Sequence, residues 1–268
     1  MARKRLRPIS TNVLCIVAFL GSAVGLYCLL LGTLTQSAEL FTDDSPASVS
    51  LVGQCSGEGD AGSECLQYIP RSVVRTWKNR DFLILFGIPS VDIRGRRRLR
   101  TLQRSTCWQF PHVATKSNNF TGAMLVLYVL ARHPSHNFTY SLALQREAAE
   151  WHDVIALPMN EGRSSTNKKI GGGGFWGNEA EVGMSRKTFF WFELALCLFP
   201  NVSYIAKGDD DMFLRVPQYL ADLRSLPRRG VYWGSTAFIN SVASFQMVVG
   251  FCMTLSRDVV QQFVSYKP

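Results

Sequence analysis

VSYIAKGDDDMFLRVPQYLADL, residues 202–223, is the stretch on which the reading of this chain turns. Val202 to Ala206 is a short run of apolar and β-favouring residues with no helical period, which predicts a strand. Three aspartates, Asp209, Asp210 and Asp211, follow two residues later. Pro217, near the start of Val216 to Leu223, suits the first turn of a helix. A strand, an acidic loop and then a helix are the parts of an α/β layer. In such layers ligands bind beyond the carboxyl ends of the strands.

Working outward, the same alternation recurs. Phe82 to Ile88 and Met124 to Leu130 are apolar runs of strand length, the first closed by Pro89 and Ser90. Val154 to Leu157 is a shorter one, preceded by the helix-like Ser141 to Trp151. Met184 to Phe199 has helix length and is apolar nearly all round, as expected of a buried helix. The expectation is an α/β domain with a mostly parallel, Rossmann-like sheet. Gly171 to Gly174 reads as a mobile loop.

The chain has 268 residues and a formal charge of +9, unevenly placed. Arg3, Lys4, Arg5 and Arg7 precede an uncharged run from Pro8 to Ala38. Within it Val13 to Leu34 is long enough to span a bilayer core of about 30 Å. A cleaved signal peptide is the alternative, but its apolar region is shorter. With the basic residues kept cytoplasmic, the expected layout is a tail (1–11), a transmembrane signal anchor (12–35), a flexible stem rich in Ser, Gly, Asp and Glu (36–80), and a lumenal domain (81–268). The sequons at Asn119, Asn137 and Asn201 suit a lumenal domain, although sequons also arise by chance. Seven cysteines without CxxC spacing point away from a disulfide scaffold and from a zinc site.

Three adjacent carboxylates repel one another unless solvated or neutralised by a cation, and their oxygens suit hard ions such as Mn²⁺ or Mg²⁺. An exposed acidic turn is the plain alternative; an EF-hand is excluded by the missing Gly and Glu at its fixed positions. The basic run Arg94, Arg96, Arg97, Arg98, Arg100 and Arg104 follows the first strand. It reads as a diphosphate grip in one or two members, and as a solvated loop in the rest. A nucleic-acid patch is disfavoured in a lumenal domain.

Tyr204-Ile205-Ala206-Lys207-Gly208-Asp209-Asp210-Asp211-Met212-Phe213 resembles the Tyr-x-x-Lys-x-Asp-Asp-Asp-x-Phe element of glycosyltransferase family 31, the β1,3-galactosyltransferase-like enzymes. The trypanosomatid members described as UDP-Gal or UDP-GlcNAc dependent look most similar. Glu147 with Asp153-Val154-Ile155 is similar to the family's Glu-x5-Asp-Ile-Ile. Arg100, Arg104 and Thr106 are similar to its Arg-x-x-x-Arg-x-Thr-Trp, with Cys107 inserted before Trp108. Gly250-Phe251 and Leu255-Ser256-Arg257-Asp258 resemble a further stretch, more widely spaced.

The resemblance, running from about Phe82 to the chain end, implies a GT-A type nucleotide-sugar-binding domain in the Golgi. It implies Asp211 as a direct Mn²⁺ or Mg²⁺ ligand and Asp209 beside it. Arg100, Arg104, Lys207, Asp209 and Asp210 are implied as cofactor-binding residues. The donor would be UDP-galactose or UDP-N-acetylglucosamine, the acceptor a glycan hydroxyl, and the transfer inverting. The family's acidic base motif is expected beyond Pro268, so the sequence reads as a C-terminally truncated chain. The alternative is a non-catalytic lumenal remnant that binds nucleotide sugar or acts as a chaperone.

Overall fold

The computed structural model describes residues 64–170, 174–240 and 244–266. The expected tail, membrane anchor, first part of the stem and glycines 171–173 lie outside the described residues. Among the described residues no helix is long and apolar enough to cross a membrane.

The elements are α1 (Arg71–Lys78), β1 (Ile84–Pro89), α2 (Arg94–Ser105), β2 (Val113–Ala114), β3 (Met124–Arg132), α3 (Leu142–Trp151), β4 (Val154–Asn160), α4 (Asn178–Leu198), β5 (Tyr204–Gly208), α5 (Val216–Ser225), β6 (Tyr232–Asn240), β7 (Ser244–Ser256) and α6 (Arg257–Ser265). They build an α/β domain around one seven-stranded sheet, ordered β2-β3-β1-β5-β7-β6, with β4 also pairing β3. β1 is parallel to β3 and β5, and β2 and β4 are parallel to β3. Only β7 and β6 run antiparallel to their neighbours.

Every residue of β1 and β5 is buried. Strands covered on both faces read as unbroken apolar runs, which is why these two were visible in the sequence. The β6–β7 hairpin was not expected. Its strands carry Gly234, Ser235, Thr236, Gln246 and Gly250 among the apolar residues, and much of β6 is exposed, so neither a solid run nor a clean alternation marks it.

Two further expectations are corrected. The stem was to extend to residue 80, yet residues 64–80 are folded onto the domain, with Cys65, Ile69 and Trp77 in the core. The charged composition of Arg71–Lys78 conceals a helix that packs Val73, Val74 and Trp77 on one side. The helix expected at Met184–Phe199 begins earlier, at Asn178; its first half buries one stripe, Gly183, Lys187 and Trp191, with Ser185 and Arg186 exposed, whereas Trp191 to Ala195 are all buried, as expected of a helix covered on every side. The four described cysteines, Cys65, Cys107, Cys197 and Cys252, are free thiols. All three sequon asparagines are exposed on turns.

α4 lies against the sheet at Gly87, where a Cβ would come within 2.1 Å of the Trp191 ring. The ring cannot retreat, because its Nε1 donates to the Ala206 carbonyl at 2.9 Å. Gly87→Ala is therefore expected to cost about 1–3 kcal/mol, the range for overpacking a filled core. A denaturant midpoint equal to that of the unaltered protein would contradict this packing.

Candidate functional site

β1 and β5 are adjacent and parallel, and the chain leaves them in opposite directions across the sheet: β1 leads on to β2 and β3 on one side, and β5 to β6 and β7 on the other. Their carboxyl ends thus flank the place where the strand order reverses, where an open α/β sheet leaves a crevice. Ser90 follows β1 directly, and Asp209, Asp210 and Asp211 follow β5.

Each aspartate meets a different environment. Asp210 is buried; its Oδ2 accepts from Ser90 Oγ at 2.6 Å and its Oδ1 pairs with Arg96 Nη1. Burial outweighs Arg96 and Ser90 and holds its carboxyl above the usual range. Asp211 is one-third exposed, with Oδ2 at 3.1 Å from the same Arg96 nitrogen. Asp209 is also partly exposed and pairs with Lys207 Nζ, which donates as well to the Gly250 carbonyl at 2.6 Å. Gln103 Nε2 fixes the loop backbone by donating to the carbonyls of Asp209 (3.1 Å) and Met212 (3.0 Å).

Arg96, Arg100 and Arg104 stand at i, i+4 and i+8 of α2, one stripe that faces inward. The run forms a helix and not the loop expected of most of its members, and its helical phase is the signal that sets Arg96 apart from Arg94, Arg97 and Arg98. Arg100 and Arg104, expected at the phosphates of a ligand, are buried and paired within the domain. Arg100 is fully buried and donates to both Glu147 oxygens at 2.7 Å, to Ser90 Oγ at 2.8 Å and to the Val91 carbonyl at 3.0 Å. Arg104 donates to Glu147 at 2.7 Å and to both Asp153 oxygens at 2.8 Å. Two guanidiniums this deep need carboxylate partners, and Glu147 and Asp153 supply them. The two sequence elements Arg-x3-Arg and Glu-x5-Asp are thus one ion network.

Ser90 joins that network to the acidic loop: its hydroxyl accepts from Arg100 and donates to Asp210. Its carbonyl accepts from the buried Lys187 at 2.7 Å, and Lys187 also pairs with Glu161. Arg96 entered the sequence reading only as one of six residues of the basic run, and Ser90, Gln103 and the Lys187–Glu161 pair carried no site reading. Serine and glutamine at element ends carry no motif signal.

Burial would raise the Glu147 carboxyl, but hydrogen bonds from Arg100 and the charges of Arg100 and Arg104 outweigh it and hold the group below its ordinary value. In the unfolded chain it titrates near about 4.3. Its contribution to stability is therefore complete above that value and lost as pH falls through the lower, folded value. Melting temperatures measured from pH 7 to pH 3 should fall at the acid end, and the fall should be shallower in Glu147→Gln. Identical acid slopes would contradict the assignment.

No protein-family model matches the chain, and no curated protein matches it.

Proposed function

We propose that the domain binds a UDP-sugar through a divalent cation at Asp209 and Asp211 and transfers galactose or N-acetylglucosamine to a glycan hydroxyl. The observation that carries this reading is the acidic loop's place at the carboxyl ends of β1 and β5, where the strand order reverses. The likeness of residues 204–213 to the glycosyltransferase family 31 element, and the GT-A type of domain it implies, support it.

The donor set fits a hard cation. Asp211 and Asp209 are 34% and 39% exposed at the side chain and offer carboxylate oxygens, whereas Asp210, at 3%, is turned to Ser90 and Arg96. Among the described residues no three His, Cys, Asp or Glu side chains converge to hold a metal, so phosphate and water would complete the shell. Such an ion, when bound, supplies charge stabilisation to the departing diphosphate. The chain's own residues do the positioning: Gln103 fixes the loop backbone, Lys207 orients Asp209, and Ser90 anchors Asp210.

In this reading the protein is a type II Golgi membrane protein with the domain in the lumen. A second reading, nucleotide-sugar binding without turnover, draws on one observation: all three carboxylates of the loop are already paired with Lys207 or Arg96, and none stands free as a base. Incubating the full chain with Mn²⁺, radiolabelled UDP-galactose or UDP-N-acetylglucosamine and a glycan acceptor separates them. Labelled acceptor supports transfer, donor binding without product supports the second reading, and neither sinks both.

A further inference from the structure

An acidic triplet needs positive charge nearby, and this loop obtains it from the chain itself. Lys207 holds Asp209, and a single nitrogen of Arg96, Nη1, is shared between Asp210 and Asp211. Three formal negative charges thus meet two internal positive ones. The Asp211 oxygen on this side is taken by a guanidinium, and a second cation placed against it would face the charge of Arg96 at close range.

The way Arg96 is held sets it apart from its two neighbours on the stripe. Arg100 and Arg104 are locked by bidentate pairs in the interior, but the Arg96 side chain is 15% exposed and its carboxylate contacts all run through one nitrogen. It projects from the first turn of α2, which contains no acidic residue and also carries Arg94 and Arg97. Positive charge at a helix N-terminus is disfavoured by the helix dipole. The aspartates therefore hold Arg96 in place against its own helix. On its other side the guanidinium lies 5.9 Å from the centre of the Trp176 ring, whose backbone N–H is fixed by Glu181 at 3.1 Å. The ring gives the side chain a face to rest on, and it also carries Lys168, whose Nζ lies 4.8 Å from the ring centre.

We propose that Arg96 is a built-in counter-ion of the acidic loop, which a divalent cation must displace from Asp211 before it can load. The inference rests on the reading of this loop as a metal site and adds its regulation. Metal alone binds weakly, because loading it breaks an existing ion pair. An incoming diphosphate offers the released guanidinium a new bidentate partner, so anion and metal enter together.

The test is calorimetric titration of the purified full chain with Mn²⁺ alone, comparing the unaltered protein with Arg96→Gln. The neutral variant is expected to bind Mn²⁺ roughly tenfold more tightly or better, the size of one charge-assisted hydrogen bond removed from the competition. Arg96→Lys, which keeps the charge, should stay near the unaltered protein. Arg96→Met, which keeps the aliphatic stem against Trp176, replaces the glutamine variant if circular dichroism shows that the latter is unfolded. Equal or weaker Mn²⁺ binding by a folded neutral variant overturns the inference while leaving the metal site standing. Absence of Mn²⁺ binding in every form, with and without UDP, overturns both.

Discussion

Glu147→Gln should remove about 3–5 kcal/mol of stability, the loss seen when one partner of a buried ion pair is taken away. Domains are stable by only about 5–15 kcal/mol, so this single atom exchange brings the protein close to unfolding. The shape is conserved, but two buried guanidiniums lose the carboxylate that both of them hold, and Arg100 has no other charged partner among the described residues. Arg104 keeps Asp153. A double variant, Arg100→Met with Glu147→Leu, removes a charge of each sign together. It should be less destabilised than the single change, because no buried arginine is left unpaired there. Denaturant unfolding of the three proteins checks this. A single variant as stable as the unaltered protein would show that the network does not carry the packing of α2 against α3.

Asp211→Ala is expected to remove Mn²⁺-dependent UDP binding. The loss should exceed the roughly 10–100-fold that changes behind a metal's ligands produce, because a ligand itself is deleted. Its effect on stability should be small, within about 1 kcal/mol, since the side chain is one-third exposed and has one shared ion pair. Asp210→Asn should show the reverse balance, because Asp210 is buried between Ser90 and Arg96. Calorimetry with UDP in the presence and absence of Mn²⁺, run beside melting curves, measures both. UDP affinity that is unchanged in Asp211→Ala would remove Asp211 from the proposed site.

What the sequence made legible follows from where side chains are buried on all sides. β1, β3 and β5 at the sheet centre, and β4 beside β3, appear as apolar runs because both faces are covered there, and the aspartates could be placed at a strand end by counting from Val202. α1 escaped because arginines and lysine dilute its apolar side, although Val73, Val74 and Trp77 are spaced as a helix requires. The hairpin β6–β7 escaped because it is partly exposed and mixed in character.

The site followed the same division. Asp209, Asp210 and Asp211 stand out as an acidic cluster and Lys207 through the family resemblance; the structure pairs Lys207 with Asp209, and Arg96 with Asp210 and Asp211. Arg100 and Arg104 were also found, but as ligand-facing groups. Pattern alone does not say whether an arginine faces solvent or a carboxylate arriving from a helix more than forty residues later in the chain. Ser90 was invisible for a related reason, since its importance comes from what converges on it.

The inward stripe of α2 ties distant functions to a single spacing. Inserting or deleting one residue between Arg96 and Arg100 would turn one part of the helix relative to the other by about 100°. Arg96 would then leave the aspartates, or Arg100 and Arg104 would leave Glu147 and Asp153, with every one of these side chains still present in the sequence. In this helix, length is under tighter constraint than composition: Arg94 and Arg98 are exposed on the outward side, whereas the number of residues sets the phase of the inward stripe.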